Sequence, residues 1–367
     1  MNIIQIISSL GNGGAEKFVV ELSNEQSKKH EVTLVSFRNI TDDMFPPKRL
    51  NTKVKLISLD KKEGFDYSIV PKLFRLFCSL KPDVVHCHLD STVQYVYIVT
   101  FFYKKCKYLQ TIHCKLDTDK KRVFNNFRRF PFFSQKFTNV CISKTIFQEF
   151  SASYPKFKFV HIDNGINKME PSREIQNINI EVDKLRKNKE KIFIAIGRFS
   201  YEKNFPMLAR VFKRLDENNY NVILIIIGGD PIKEKNEIEH VNKIKSNNTY
   251  LLGQRSNIAD YLLNADALVM SSRFEGMPIT VLEAMSIGLP VISTPAGGVV
   301  DLIKNGINGF IADSIEENDF FVSMKMFLDS NDKLIKTIRE NNLTYFKSNL
   351  TISLCAERYE NVYKNYG

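Results

Sequence analysis

Residues 267–293 read ALVMSSRFEGMPITVLEAMSIGLPVIS, and this stretch decides the fold class. Ala267–Met270 is an apolar run of strand length, a segment of helix length begins near Pro278, and Val291–Ser293 is a second apolar run. A strand, a helix and a strand in this order predict two parallel strands joined by a crossover helix. Parallel strands are buried on both faces, and their sequences are therefore continuously apolar rather than alternating.

The same alternation extends in both directions along the chain, and it predicts an α/β protein whose parallel sheets are covered by helices on both faces. The polar stretch Lys168–Glu190 separates two series of strands, which predicts a first domain at 1–168, a linker at 169–189 and a second domain at 190–350. The other predicted strands are Ile3–Ser8, Val32–Phe37, Val54–Leu59, Asp83–Cys87, Tyr108–Ile112, Asn139–Ile142, Lys158–Ile162, Lys191–Ile196, Val222–Ile227, Thr249–Leu252 and Gly309–Ile311.

Length and composition favour a globular protein of two domains. The chain has 367 residues, and domains typically have about 150 residues, so the length predicts two domains. The content of 43% hydrophobic and 25% charged residues excludes disordered and fibrous proteins. The longest apolar run, Val93–Tyr103, is far shorter than the roughly 20 residues of a membrane-spanning helix. Met1–Ser8 reads as a strand and not as a signal peptide, and the six cysteines form no CxxC pair, so we expect a cytoplasmic protein.

The positive charge is concentrated in the first half of the chain. Residues 1–168 hold 27 Lys and Arg against 15 Asp and Glu, whereas residues 169–367 hold 25 against 26. Within the first half, residues 101–144 carry 11 basic residues and eight phenylalanines, with Asp117 and Asp119 as the acidic residues. This composition predicts that the segment meets an anionic partner.

Residues 120–133 allow two interpretations. Val123, Phe127 and Phe130 have helical spacing with Lys and Arg beside them, as in an interfacial helix on an anionic membrane. The same spacing also fits a stripe that faces the core and has a solvated flank. The basic first half further allows a nucleic-acid-binding protein as a competing function, although our expectation is that no nucleic acid is bound.

Two loops after predicted strands could bind phosphate. Gly13 and Gly14 follow the first strand and precede a helical pattern, where backbone amides can approach an anion, although a tight turn explains the pair as well. Arg198 and Lys203 follow strand Lys191–Ile196, and a guanidinium with an ammonium five residues later suits a diphosphate.

Two carboxylates mark the region around the predicted helix at Pro278. Glu283 is flanked by apolar residues, where a bare carboxylate is costly to bury and requires donors such as the two hydroxyls of a ribose. Glu275 precedes the helix and could reach the hydroxyls of the group that the phosphates carry. The amides of Ile279 and Thr280 would be free at the helix start, with Pro278 in the first turn.

Two metal interpretations are weak. Asp117-Thr118-Asp119 matches a DxD pattern but follows no strand and lies among basic residues. His86-Cys87-His88, with His113 and Cys114, lacks the paired-cysteine or helical-histidine spacing of a zinc site. We therefore expect no metal cofactor.

Glu275 and Glu283 resemble the E-x7-E motif of retaining GT-B glycosyltransferases of glycosyltransferase family 4, the glycosyl transferases group 1. The surrounding motifs are similar to that family in the same order, from both halves of the chain. They are Gly13-Gly14-Ala15-Glu16, Asn164-Gly165-Ile166, Gly197-Arg198, Glu202-Lys203-Asn204, Ile226-Ile227-Gly228-Gly229, Ala284-Met285, Gly288-Leu289-Pro290-Val291-Ile292 and Pro295-Ala296-Gly297-Gly298.

The resemblance implies the GT-B fold, with two Rossmann-like domains facing across a cleft, and a C-terminal helix at 351–367 that crosses back to the first domain. It implies a sugar nucleotide as donor, with His113 approaching the sugar and a metal-independent reaction. The catalytic set so implied is His113, Glu275, Arg198 and Lys203, and the donor-binding set is Gly13, Gly14, Arg198, Lys203, Gly253, Arg255, Asn257, Gly276, Met277, Pro278, Ile279, Thr280 and Glu283.

The predicted function is transfer of a hexose or N-acetylhexosamine, with retention of configuration, from a nucleotide sugar that carries UDP. The acceptor is a hydroxyl of a surface glycan or a lipid-linked precursor in polysaccharide biosynthesis, which fits peripheral contact with the membrane through 120–133. A UDP-sugar epimerase of double-Rossmann fold is the alternative within enzymes, and a nicotinamide oxidoreductase is disfavoured because the first loop lacks the GxGxxG spacing.

Overall fold

The computed structural model describes residues 1–11, 13–40, 49–113, 135–186 and 190–365. The chain divides into two compact units: unit 1 comprises Met1–Ile166 and Leu350–Gly367, and unit 2 comprises Asn167–Asn349. Each unit contains one sheet, and all the strand pairs in both sheets are parallel. The predicted α/β class with parallel sheets is confirmed.

Unit 1 holds a sheet of seven strands in the order β3-β2-β1-β4-β5-β6-β7. Its strands are β1 (Asn2–Ile7), β2 (Glu31–Ser36), β3 (Lys55–Ser58), β4 (Val84–His88), β5 (Lys107–Ile112), β6 (Phe137–Cys141) and β7 (Phe159–His161). Its helices are α1 (Gly14–Gln26), α2 (Ile69–Leu80), α3 (Asp90–Val99), α4 (Lys144–Ser153) and the last helix of the chain, α13 (Ile352–Asn365).

Unit 2 holds a sheet of six strands in the order β10-β9-β8-β11-β12-β13. Its strands are β8 (Lys191–Ile196), β9 (Val222–Ile227), β10 (Thr249–Gly253), β11 (Ala267–Met270), β12 (Val291–Ser293) and β13 (Gly309–Ile311). Its helices are α5 (Ile175–Leu185), α6 (Phe205–Glu217), α7 (Lys235–Ile244), α8 (Ile258–Leu263), α9 (Ile279–Ser286), α10 (Val299–Leu302), α11 (Glu317–Leu328) and α12 (Asp332–Asn349).

Every predicted strand is present within two residues of its predicted bounds. The central strands are buried along nearly their whole length, as β9 shows with six buried residues out of six. Helices α6 and α11 cover one face of the unit 2 sheet, where Phe193 packs edge-on against Phe212 and Phe327. Burial on both faces explains why the continuous apolar runs located these strands.

The last helix belongs to unit 1. The chain returns to unit 1 at Leu350, whose carbonyl accepts a hydrogen bond from the Ile166 amide at 3.0 Å. A Cβ on Gly165 would lie 2.5 Å from the Thr351 carbonyl oxygen, so this close approach requires glycine. Helix α13 then packs against α1, and His30 Nε2 lies 3.2 Å from Glu360 Oε1 on it.

The segment predicted as a linker contains helix α5, which packs against α8 in unit 2. Ile178 and Val182, four residues apart, form its buried face. Tyr261 of α8 donates a hydrogen bond to Glu181 at 2.9 Å. The polar composition that suggested a linker is the exposed side of a helix with a narrow buried stripe.

The five described cysteines are free thiols, as the absence of paired spacing indicates. Cys87, Cys141 and Cys355 are buried, whereas Cys78 is exposed on α2. Within the described ranges, no helix is both long and apolar enough to cross a membrane.

A buried polar network connects α13 to the sheet of unit 1. The Tyr363 hydroxyl accepts hydrogen bonds from Gln5 Nε2 at 3.3 Å and Gln26 Nε2 at 3.2 Å, and it lies 2.8 Å from His86 Nδ1. All four side chains are at most 1% exposed. Buried polar groups are costly without partners, so Tyr363 satisfies three elements of the unit at once.

We predict that Tyr363→Phe destabilises unit 1 by about 1–3 kcal/mol, because three buried polar side chains lose the same partner. The apparent free energy of unfolding in urea is the measurement. Tyr67→Phe removes a hydroxyl from a side chain that is 80% exposed and is the matched control, with an expected change below about 0.5 kcal/mol. Equal stability of the two variants would refute a structural role for the Tyr363 hydroxyl.

Candidate active site

Three loops of unit 2 follow neighbouring strands at one edge of the sheet. Strands β8, β11 and β12 lie side by side, so the loops at 197–204, 271–278 and 294–298 lie at their carboxyl ends. Ser271 Oγ donates a hydrogen bond to the Lys203 carbonyl at 2.8 Å, and Thr294 Oγ1 donates to the Ser272 carbonyl at 2.5 Å. The loops are therefore fixed to one another by buried hydroxyls.

Lys203 and Glu275 form an ion pair across two of these loops. Lys203 Nζ lies 2.7 Å from Glu275 Oε1, with side chains that are 21% and 12% exposed. Ser272 Oγ donates to the same carboxylate oxygen at 2.6 Å. Two residues separately predicted for the diphosphate and the sugar are thus in direct contact.

Arg198 is exposed in the loop after β8 and forms no ion pair with the described residues. A hydrogen bond from Ser200 lowers the pKa of nearby Glu202, and the charges of Arg198 and Lys203 lower it further. The loop thus presents an available guanidinium beside a paired ammonium.

The region from Glu275 to Thr280 approaches its neighbours closely. Gly297 has a positive φ of 52°, and a Cβ there would lie 2.0 Å from the Glu275 carbonyl oxygen. Gly276 and Met277 follow, and Pro278 occupies the N-cap position of α9, one residue before the first turn where we predicted it. The first hydrogen bond of the helix is donated by the Val281 amide to the Pro278 carbonyl at 3.1 Å. The Ile279 and Thr280 amides precede this bond and therefore do not take part in the hydrogen bonds of the helix.

Glu283 is 6% exposed and lies in the second turn of α9, among residues that are almost all buried. The Ser286 hydroxyl donates to the Glu283 carbonyl at 2.7 Å and not to its carboxylate. A carboxylate at this depth is retained only where donors compensate its lost hydration. Its placement on the helix that begins at the loop of Glu275 agrees with its predicted location.

The predicted base-binding loop at 253–257 is held by helices α5 and α8. Gly253 has a φ of 68°, and its carbonyl accepts from the Gly228 amide at 2.8 Å. Arg255 Nε donates to the Tyr261 hydroxyl at 3.0 Å, and Asn257 Nδ2 donates to Asp260 at 3.3 Å. Arg255 and Asn257 are therefore already engaged within unit 2.

The Gly13–Gly14 turn of unit 1 begins α1, with Gly13 as the N-cap. A Cβ on Gly13 would lie 2.3 Å from Glu16 Oε2, so the Glu16 carboxylate lies against the turn predicted to bind phosphate. An acidic group at a helix N-terminus is stabilised by the helix dipole. A phosphate could bind here only after this carboxylate moves away.

His113 directly follows β5 and is half-buried. Its Nε2 lies 3.3 Å from His88 Nδ1, and the Phe18 ring packs edge-on against both imidazoles, at 6.0 Å and 6.1 Å between centroids. Burial lowers the pKa of His113 to about 4, so its ring is neutral at physiological pH.

The sequence suggested His88 only as part of a weak metal interpretation. Its contacts with His113 and Gln5 were not predicted. His88 and His86 lie at the end of β4, and both nitrogens of each ring have hydrogen-bonding partners within unit 1. The period of two along the strand, which places both rings on one face, is the signal that could have found this pair. Among the described residues no group of three or more His, Cys, Asp and Glu could hold a metal ion.

Several predicted features lie outside the described residues. They are Cys114, the Asp117-Thr118-Asp119 pattern and the basic segment 120–133.

Two family models match the chain in succession. The model described as Glycosyltransferase Family 4 matches residues 12–169, and the model described as Glycosyl transferases group 1 matches residues 176–343. The chain is 45% identical over 104 residues to an uncharacterised glycosyltransferase of Methanocaldococcus jannaschii, which is 28% of this chain and 25% of that protein's length.

Two relatives with named activities match more of the chain. The GalNAc-alpha-(1->4)-GalNAc-alpha-(1->3)-diNAcBac-PP-undecaprenol alpha-1,4-N-acetyl-D-galactosaminyltransferase of Campylobacter jejuni is 26% identical over 93% of this chain and 92% of its own. The UDP-Gal:alpha-D-GlcNAc-diphosphoundecaprenol alpha-1,3-galactosyltransferase of Escherichia coli is 25% identical over 75% of this chain and 73% of its own.

Among solved structures, HepE of Anabaena in complex with UDP and glucose has a TM-score of 0.81 with 15% identity, and the match covers 100% of both chains. This likeness shows the fold, which is that of the GT-B enzymes. Together with the two family models, it confirms the family that the E-x7-E motif and its neighbouring motifs indicated. The chain belongs to the GT-B glycosyltransferases of glycosyltransferase family 4, the glycosyl transferases group 1.

Proposed function

We propose that this enzyme transfers a hexose or N-acetylhexosamine from a UDP-sugar, with retention of configuration, to a hydroxyl of a lipid-linked glycan in polysaccharide biosynthesis. The single observation that carries the proposal is the Lys203–Glu275 ion pair beside the start of α9. It places an ammonium, two amide donors and a carboxylate at one edge of the sheet. A sugar diphosphate needs these groups, since its phosphates are anionic and its sugar presents hydroxyl donors.

The donor diphosphate takes over the ammonium of Lys203 and recruits the available guanidinium of Arg198. The two positive charges balance the two negative charges of the diphosphate, and the Ile279 and Thr280 amides add neutral donors. Released from Lys203, Glu275 accepts hydrogen bonds from sugar hydroxyls. Glu283, deeper on α9, accepts from the two ribose hydroxyls.

These groups stabilise the leaving group in the transition state. As the glycosidic bond breaks, negative charge grows on the departing UDP, where Arg198, Lys203 and the helix amides are already oriented. The acceptor hydroxyl attacks from the face that the phosphate leaves, and a phosphate oxygen takes its proton. The cationic side chains of Arg198 and Lys203 supply the positive charge that a metal ion would otherwise provide, so the proposed reaction needs no metal.

The remaining predicted groups have secondary roles in the proposal. His113 of unit 1 contacts a hydroxyl of the donor sugar. The loop of Gly253, Arg255 and Asn257 lies against the base, and the Gly13–Gly14 turn binds phosphate when the Glu16 carboxylate is displaced.

The relatives support the choice of donor and acceptor class. The name of the Escherichia coli enzyme specifies UDP-Gal, and the names of both relatives specify acceptor sugars linked to undecaprenol through a diphosphate. The Campylobacter enzyme transfers N-acetylgalactosamine and the Escherichia enzyme galactose, which is why the proposal includes both kinds of hexose.

We predict that Glu283→Gln weakens UDP binding about 10- to 100-fold, because a hydrogen bond to a charged group contributes about 1.5–3 kcal/mol. Titration calorimetry with UDP measures the dissociation constant. Glu340→Gln, on the exposed face of α12, is the matched control and leaves it unchanged. An unchanged dissociation constant in Glu283→Gln would remove Glu283 from the nucleotide site.

The Glu275→Gln variant distinguishes a role of Glu275 in binding the sugar from a role in binding the nucleotide. We predict that this variant binds UDP within about threefold of the wild type, whereas turnover of the preferred UDP-sugar falls at least tenfold because one charged hydrogen bond to a hydroxyl is lost. UDP release from UDP-glucose, UDP-galactose and their N-acetyl derivatives measures turnover. Loss of UDP affinity with unchanged turnover would place Glu275 on the nucleotide instead.

We also propose that the basic segment 120–133 brings the enzyme to anionic membranes, where lipid-linked acceptors lie. Reversal of Lys121, Arg122, Arg128 and Arg129 to Glu is predicted to abolish cosedimentation with phosphatidylglycerol vesicles at low salt, since each basic residue near such a surface contributes about 1 kcal/mol. Phosphatidylcholine vesicles are the control. Cosedimentation that survives the four reversals would contradict this proposal.

A further inference from the structure

The amide of Gln5 has a fixed direction inside unit 1. Its Nε2 donates to Gln26 Oε1 at 2.8 Å and to the Tyr363 hydroxyl at 3.3 Å, so both of its N–H groups are used. Its Oε1 therefore faces the remaining neighbour, His88 Nε2, at 2.7 Å. A carbonyl oxygen accepts hydrogen bonds and cannot donate them.

The direction of the Gln5 amide determines the tautomer of His88. The His88 Nε2 must carry the hydrogen that Gln5 Oε1 accepts. His88 is fully buried, and burial lowers its pKa well below the usual range, so the ring is neutral and holds one hydrogen. His88 Nδ1 is therefore a lone pair that can only accept.

His113 is the next ring in this sequence of hydrogen bonds. Its Nε2 lies 3.3 Å from the acceptor His88 Nδ1, so the hydrogen between them belongs to His113. A neutral imidazole with hydrogen on Nε2 has a lone pair on Nδ1. Nδ1 of His113 has no hydrogen bond with the described residues.

We propose that His88 is a positioning residue that holds His113 as the Nε2–H tautomer, so that His113 Nδ1 accepts a hydrogen bond from a hydroxyl of the donor sugar. The substrate part rests on the proposed function, whereas the tautomer part does not. A neutral acceptor suits this place in the reaction, because positive charge develops on the sugar as the leaving group departs. An imidazolium there would repel that charge.

The C-terminal helix takes part in setting this direction. The Tyr363 oxygen receives two amide hydrogens, so its own hydrogen is directed to His86 Nδ1 at 2.8 Å. His86 then carries its hydrogen on Nε2, which donates to Thr111 Oγ1 at 2.7 Å. His86, His88 and His113 thus all have the Nε2–H form.

Two substitutions at His88 separate the two bonds of this ring. The amide of Asn superimposes on the Nδ1 side of an imidazole, so His88→Asn retains an acceptor for His113. The amide of Gln reaches the Nε2 side, so His88→Gln retains the contact with Gln5 and loses the acceptor for His113. Both variants keep a polar group in the buried site, which limits the loss of stability.

Two-bond ¹H–¹⁵N correlation spectra of the six histidines at pH 7 test the inference on the wild-type protein without substrate. We expect Nε2–H tautomers for His86, His88 and His113. An Nδ1–H or doubly protonated His113 would overturn the inference whether or not the protein is a glycosyltransferase.

The variants test the functional consequence. In His88→Gln we expect His113 to populate both tautomers and UDP release from the preferred UDP-sugar to fall about three- to tenfold, with the UDP dissociation constant unchanged. In His88→Asn we expect the Nε2–H tautomer of His113 and the wild-type rate of UDP release to be retained. If His88→Gln kept His113 in the Nε2–H tautomer and released UDP at the wild-type rate, the positioning role would be overturned. If the wild-type protein had the expected tautomers but turned over no UDP-sugar, only the proposed function would be rejected.

Discussion

The ion pair between Lys203 and Glu275 is the interaction on which the candidate site at the edge of the unit 2 sheet depends. It joins the loops after two neighbouring strands at 2.7 Å, in a half-buried position where an unpaired charge would be costly. The glycine at position 297 allows the Glu275 backbone to lie this close to the loop after β12. A ligand that carries both phosphates and hydroxyls could exchange this pair for two new ones, and the proposed donor is such a ligand, so its charged partners would already be in place before it binds.

The buried polar network of unit 1 consists of neutral side chains, which are oriented by the donor and acceptor directions of their hydrogen bonds and not by ion pairs. His86 and His88 are fully buried, and their hydrogen-bonding partners among the described residues are the hydroxyls of Tyr363 and Thr111, the amide oxygen of Gln5 and the ring of His113, with no carboxylate. Such a network keeps the rings uncharged and assigns each hydrogen to one atom. Because α13 contributes Tyr363 and Tyr359 to this network, the helix supports the set of hydrogen bonds that ends at His113.

The strands were predictable because parallel strands buried on both faces have an apolar pattern of their own, of which β9 is a clear example. The sequence predicts a linker where the structure has helix α5, because only Ile178 and Val182 mark the buried face of this helix. The Lys203–Glu275 contact spans 72 residues and the His88–Gln5 contact 83, and neither has a signal within a sequence window. The sequence did not predict that the Glu16 carboxylate lies against Gly13. A glycine turn indicates that an anion can approach the backbone, but it does not indicate that a carboxylate of the same chain occupies the position.

The most direct measurement is a crystal structure of the protein with an intact UDP-sugar bound. The account predicts diphosphate oxygens within about 3.2 Å of Lys203 Nζ and the Arg198 guanidinium, ribose hydroxyls on Glu283, and a Glu275 carboxylate that has left Lys203 for the sugar. A nucleotide bound away from these residues, with the Lys203–Glu275 pair intact at 2.7 Å, would contradict it.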